Sequence, residues 1–393
     1  MKVGPMTGFQ LSEEHEDFRA VVRDFAEAEL APHVAHWNSL HTLPLDAVKA
    51  MAGLGLFGLS GPEEYGGAGD FTSLCIAIEE IGRVDQSLGI TLEAAVGLGS
   101  SPIARYGNSE QKQRWLPDLL AGHALAGFGL TEPGSGSDAG GMATTARRDG
   151  EDWVINGSKQ FITNSGTDIT SLVTVTARTG RRADGKPEIS TLMVPTNTPG
   201  FVAEPAYDKL GWHASDTHPL SLTDVRVGDD ALLGRVGRGY SQFLATLDDG
   251  RIAISALALG CIRTCRDLAR DYALERTSFG VPIGRKQAVA FSIADLDAMA
   301  HTAHLLVYSA AAMKDADAAP TEVARAASIA KLVTTENAVT ATRIATQVFG
   351  GYGFMEEYPI ARFYRDAKVL EIGEGTSEVQ RLLLARGLGL PVE

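Results

Sequence analysis

The sequence predicts an α+β protein of three domains: an N-terminal helical domain over residues 1–123, a middle antiparallel β-barrel or sandwich over 124–235, and a C-terminal helical bundle over 236–393. Three observations predict it. Apolar residues recur at helical spacing through the first part of the chain, the period falls to two in the middle, and the helical period then returns and holds. A chain of 393 residues has length for two or three domains and a large core.

Each element has its own signal. Ser12 is a candidate N-cap, and Phe18, Val21, Val22, Phe25 and Leu30 follow at helical spacing up to Pro32, which ends or kinks the helix. Leu45, Val48, Met51 and Leu54 form a second stripe, and the glycine-rich stretch from Gly61 to Gly69 is a loop. Helices are expected over Ser73–Arg83 and Gln86–Leu98, and another opens at Ser109 with Trp115, Leu119 and Leu120 inside. From Trp153 to Thr163 the pattern predicts a hairpin that turns at Asn156-Gly157. Leu172–Thr176, Ile189–Val194, Phe201–Ala203, Leu220–Leu222 and Val225–Val227 alternate as strands. Three long helices follow: one carries Phe243, Leu247, Gly250, Ile254, Leu257 and Cys261, one spans Lys286 to Met313, and one runs from Thr321 to Phe349 and closes at Gly350-Gly351. Short connections between them imply an antiparallel bundle, and a ligand site is expected where the three domains meet.

Composition excludes several functions. A net charge of −14 argues against a nucleic-acid binder. The cysteines, Cys75, Cys261 and Cys265, suggest no disulfide framework. His33 and His36, like His301 and His304, are spaced for a shared metal but lack a neighbouring acid motif, so no metal is expected. The N-terminal segment does not read as a signal peptide, and no apolar run reaches membrane-span length. A cytoplasmic protein is expected.

The stretch Glu371-Ile372-Gly373-Glu374-Gly375-Thr376-Ser377-Glu378 carries the candidate chemistry. Glu374 sits between glycines before a helix start, with Ser377 and Gln380 spaced as a capping box and Gly387 as the C-cap. The helix dipole favours its ionised form, and an ionised, partly desolvated carboxylate accepts protons well. A solvated turn glutamate explains the local pattern equally. Leu130 to Ala139 contains Gly-x-Gly-x-x-Ala, but Pro133 and the absence of a following helix exclude a dinucleotide fingerprint; the loop instead offers backbone N–H groups and the hydroxyls of Thr131, Ser135 and Ser137. Arg276 ends a long helix, the Gln347–Gly353 stretch allows close backbone approach, and Asp248 and Arg251 are spaced to pair.

Together these motifs resemble the acyl-CoA dehydrogenase family of flavoproteins. The resemblance rests on Thr131–Asp138, Asn156–Asn164, Arg276–Gly280, Gln347–Gly351 and Glu374–Glu378, and covers nearly the whole chain. It implies FAD as cofactor. Phe128, Leu130, Thr131 and Ser137 would line the flavin, and Phe161, Ile162 and Thr163 would lie against its ring, with Phe161 where the family often has tryptophan. Arg276, Phe279, Gln287, Gln347, Val348, Gly350, Gly351, Thr376 and Glu378 would hold the rest, partly across a subunit interface. Ser137, Asp248, Arg251 and Gly375 would border an acyl-CoA. The resemblance further implies α,β-desaturation with Glu374 as base, a homotetramer, and an electron-transfer flavoprotein as acceptor. Some family branches place the base near the position of Gly250, which leaves Asp248 and Asp249 as outside candidates. The alternatives are an acyl-CoA oxidase and a non-catalytic flavin- or CoA-binding protein on the same fold.

Overall fold

Single side chains cap several helices of the N-terminal part. The computed structural model describes residues 10–392; the N-terminal segment that does not read as a signal peptide lies largely outside them. Ser12 accepts the N–H of His15 and opens α1 (Glu13–Phe25). A π turn over Ala26–Leu30 and a 3-10 turn at Pro32 then kink the chain into α2 (Val34–Leu40). After α3 (Leu45–Gly53), Asp70 caps α4 (Phe71–Val84) and Asp85 caps α5 (Gln86–Glu93). The helix expected to reach Leu98 changes at Glu93 into a π-helix over Ala94–Ser100, a form often found at functional sites. α6 (Ser101–Tyr106) and α7 (Ser109–Leu120) complete this part.

The middle domain is one seven-stranded sheet of β1 (Leu125–Gly129), β2 (Thr145–Asp149), β3 (Asp152–Thr163), β4 (Thr170–Arg181), β5 (Pro187–Pro195), β6 (Phe201–Ala203) and β7 (Thr217–Gly228), in the order β1-β4-β2-β3-β7-β6 with β5 also on β4. Trp153, Ile155, Val173, Val175, Leu192, Val194, Leu220 and Val225 fill its core. The sheet is mixed rather than wholly antiparallel, because β1 and β2 both pair with β4 in parallel. Alternation reports which face is buried, not strand direction. Asn156-Gly157 is not a turn. β3 runs straight through it, and the hairpin lies at Gly150, between paired Asp149 and Asp152. Asn156 exchanges side-chain hydrogen bonds with Asp224 of β7, at 3.0 and 2.9 Å. A Cβ on Gly157 would lie 2.4 Å from Thr144 Oγ1, so this glycine serves close packing at a bulge.

The C-terminal domain begins with α8 (Gly239–Glu275), followed by the short strands β8 (Thr277–Ser278) and β9 (Val281–Pro282), then α9 (Gln287–Asp315), α10 (Pro320–Phe349), α11 (Pro359–Ala367) and α12 (Ser377–Gly387). α11 has no counterpart in the sequence reading. Leu257, Cys261, Leu296, Val307 and Ala341 share a core with Leu74, Ile78 and Leu88 of α4 and α5, so the two helical domains pack as one body. Buried Glu79 and Glu80 gather Arg19, Arg23, Arg83 and Arg263 and tie α1, α4 and α8 together. α8 thus presents a fixed face to the turn before α12.

Candidate active site

The turn before α12 is built around a carboxylate in an uncommon backbone conformation. Glu374 has φ 55° and Gly375 φ 88°. A non-glycine residue in the left-handed region costs about 1–2 kcal/mol, so the surroundings must hold it there. Gln380 does so by donating to the carbonyls of Glu374, at 3.2 Å, and Gly375, at 3.1 Å. This corrects the expected capping box. The N-cap is Thr376, whose hydroxyl accepts the Val379 N–H at 3.3 Å; Ser377 is already helical, and Gln380 serves the turn instead. The C-cap is likewise Leu388, with Gly389 at φ 82°, and Gly387 is the last helical residue.

Glu374 reaches α8 at Gly250. A Cβ there would lie 2.6 Å from Glu374 Oε2, so glycine is required for the carboxyl to seat. Oε2 is buried and has no hydrogen-bond partner among the described residues. Burial pushes this carboxyl up to about 7, against the opposing pull of Arg251 and Lys331. Arg251 donates to Asp248 and approaches the Glu374 carbonyl, Nε to O, at 3.5 Å. Lys331 is wholly buried, its Nζ has no partner among the described residues, and burial brings it down to about 8. Asp249 is engaged elsewhere, with Arg105 at 2.8 Å and Lys314 at 2.9 Å, on a cleft of about 300 Å³ whose lining includes neither Glu374 nor Arg251.

The loop after β1 is anchored from beneath. Glu132 accepts from the Thr144 N–H at 3.1 Å and from Lys159 Nζ at 2.7 Å, with both side chains buried. Phe128 stacks on Phe243 of α8 at 3.9 Å, which fastens the sheet to the bundle. Ser137 lies exposed on the loop. Phe161 has φ 60° and leaves its ring 62% exposed beside Tyr207. Ile162 faces the core of the sheet domain, so only its backbone is open to a ligand. An exposed aromatic held on a left-handed backbone is a surface that a flat apolar ring would cover.

A second group lies at the other end of α8. Phe279 and Gly280, both with positive φ, turn the β8–β9 hairpin, and Phe279 is 93% exposed at its tip. Arg276 sits over the Tyr352 ring at 5.5 Å, linking the hairpin to the Gly350–Phe354 turn that ends α10. Gln287 opens α9 and Gln347 lies in the last turn of α10, both exposed. Among the described residues, no hydrogen bond, ion pair or ring contact joins this group to Phe128, Thr131 or Phe161.

Sequence reasoning missed Glu93, Lys331 and the Glu132–Lys159 pair. Glu132 and Lys159 stand inside motifs already singled out. Glu93 had a readable signal, as the one charge in the run from Gly89 to Ser100. All three need a partner distant in sequence to acquire meaning.

A buried carboxylate with no hydrogen-bond partner among the described residues, seated between the turn before α12 and Gly250 of α8, is the kind of group that marks a candidate catalytic site. The chain belongs to the acyl-CoA dehydrogenase family: the N-terminal, middle and C-terminal domains of acyl-CoA dehydrogenases match residues 12–123, 127–225 and 237–389. It is 47% identical to a probable acyl-CoA dehydrogenase of Bacillus subtilis over 97% of this chain and 99% of that protein. Identity to the human mitochondrial short-chain specific acyl-CoA dehydrogenase is 42%, over 96% of this chain and 90% of the other. The structure of butyryl-CoA dehydrogenase from Megasphaera elsdenii superimposes with a TM-score of 0.93 at 37% identity, covering 97% of this chain and all of that one (100%).

Proposed function

We infer that the protein is an FAD-dependent acyl-CoA dehydrogenase that converts an acyl-CoA to its trans-2-enoyl-CoA, with Glu374 as the base. The observation that carries the reading is Glu374 Oε2: buried, without a partner, and held up to about 7. Such a carboxyl is partly ionised near neutrality and still basic enough to take a weakly acidic proton. FAD, when bound, accepts the hydride that leaves the β-carbon. Everything else falls to the protein. Gly250 gives the carboxyl its seat, Gln380 fixes the turn, and Arg251 favours the charged form. The Glu374 N–H donates to no acceptor among the described residues, which leaves it available to the thioester oxygen where negative charge grows.

Phe128, Leu130, Thr131, Ser137, Phe161, Thr163 and the Ile162 backbone are the proposed flavin wall. Thr376, Glu378, Arg276, Phe279, Gln287, Gln347, Val348, Gly350 and Gly351 are the proposed contacts to the rest of the cofactor. The proposed assembly is a homotetramer in which the Arg276 hairpin of one subunit completes its neighbour's site; among the described residues no hydrogen bond, ion pair or ring contact joins that hairpin to Phe128, Thr131 or Phe161. Asp248, Arg251, Gly375 and Ser137 border the proposed acyl-CoA. Free, buried cysteines support a reducing, cytoplasmic compartment. No observation favours an oxidase or a non-catalytic binding protein.

The test is anaerobic titration of the purified, yellow protein with a panel of acyl-CoAs, followed by addition of an electron-transfer flavoprotein. Flavin bleaching by an acyl-CoA and reoxidation by that acceptor are expected. Fast stoichiometric peroxide formation in air would support an oxidase. No bleaching with any acyl-CoA would refute the assignment.

A further inference from the structure

Glu93 has no role in the reaction described above, yet it is among the least accommodated groups in the fold. It is 0% exposed, and neither of its carboxyl oxygens has a hydrogen-bond partner among the described residues. A carboxyl buried in this way is costly unless it is neutral or used. A Cβ on Gly250 would lie 2.6 Å from Glu374 Oε2 and 3.6 Å from Glu93 Oε1. Both oxygens therefore converge on one point beside α8. Gly97 is the other small residue there, with its Cβ position 3.4 Å from Glu93 Oε1. α4, α8, α11 and the π segment pack around α5. The charged group that acts on Glu93 is Glu374, and those that act on Glu374 are Arg251 and Lys331.

We propose that Glu93 is a positioning residue for proton abstraction: a second carboxyl that works neutral, offers its O–H to the space it shares with Glu374, and leaves Glu374 as the single negative charge of the pair. The proposal rests on the reading of Glu374 as base. Burial, and then the Glu374 charge, push Glu93 well above the usual carboxylate range. Two such carboxyls resist ionising together and lose their protons as a pair in two steps. Arg251 and Lys331 direct the first loss to Glu374, which arms the base. The second ionises Glu93 and sets a negative charge beside the place where the thioester develops its own. Flavin reduction therefore rises with pH through the first step and falls through the second.

The experiment is stopped-flow reduction of the FAD-loaded protein by butyryl-CoA from about pH 6 to about pH 10, read for the shape of the profile. The wild-type profile is expected to be a bell. Glu93→Gln keeps size and removes the titration, so its profile should rise and stay level, at least about threefold above wild type at the alkaline end. Glu93→Asp keeps an acid and should retain the alkaline fall with a displaced midpoint. A wild-type profile with no alkaline fall overturns the proposal without any variant. So does a Glu93→Gln profile that superimposes on wild type, or a Glu93→Asp profile that loses the fall. No reduction of the wild-type protein at any pH refutes the base reading itself, whereas normal reduction with an unaltered variant profile removes Glu93 alone.

Discussion

Glu132 and Glu374 are both buried glutamates beside glycine-rich turns, and the fold treats them in opposite ways. Glu132 is saturated: the Ala143 and Thr144 N–H groups and Lys159 all donate to it. Burial alone would push it up, but these donors prevail and hold it below its ordinary value. Glu374 has its backbone carbonyl tied by Gln380 and its Oε2 left without a donor, and burial carries it up to about 7. Hydrogen bonds go to the carboxylate that must stay charged and in place. They are withheld from the carboxylate proposed to take a proton, while its backbone is fixed instead.

The largest test of that contrast is Glu374→Gln. It keeps size and shape and should retain FAD and acyl-CoA binding, while stopped-flow flavin reduction falls about 10²–10⁴-fold or more. Reduction at the wild-type rate would return the role to Asp248 or Asp249. Lys159→Met is the counterpart. It leaves Glu132 buried and unpaired and should cost about 3–5 kcal/mol in urea unfolding. An unfolding midpoint unchanged from wild type would mean that Glu132 does not need its partner.

The two acids should also answer pH in separate ranges. As the proposed base, Glu374 has to be ionised, so kcat/KM should fall about tenfold per pH unit below about 7. Glu132 has a lowered value in the fold. Its contribution to stability is present above the unfolded carboxylate value, about 4.3, and is lost as pH falls through the folded value. The unfolding midpoint should therefore fall as pH drops across the acid range for wild type, and less so for Glu132→Gln. The smallest effect is expected at Gln380→Met, which removes two hydrogen bonds to the turn, each worth about 0.5–1.5 kcal/mol. Flavin reduction should slow by roughly tenfold or less, with Thr376 still capping α12. A loss as large as that of Glu374→Gln would place part of the chemistry on Gln380.

Glu374 stood out as a candidate because its signals are local: a glutamate between glycines, a polar residue opening a helix, an apolar run after it; its proposed role as base came from the family motif. The details around it were less legible. Ser377 and Thr376 are both competent caps, and only the backbone decides that Thr376 holds the position. Gln380 matches a capping-box partner by spacing, yet the left-handed Glu374 turns its carbonyl within reach and takes the amide. Asn156-Gly157 has turn composition, but Asp224 lies across from Asn156 and Thr144 sits where a side chain at 157 would go.

By itself the sequence determined the alternation of helical, strand and helical segments, the positions of the long helices, and the motif set that marks the family, because periodicity and turn chemistry act over a few neighbouring residues. The tertiary structure alone decided that β1 and β2 run parallel to β4, that Lys159 closes on Glu132, and that Glu93 and Glu374 meet at Gly250. Those facts depend on strand register and helix packing between segments far apart in the chain. An acid's proton affinity follows from what surrounds it after folding, which the order of residues does not state locally.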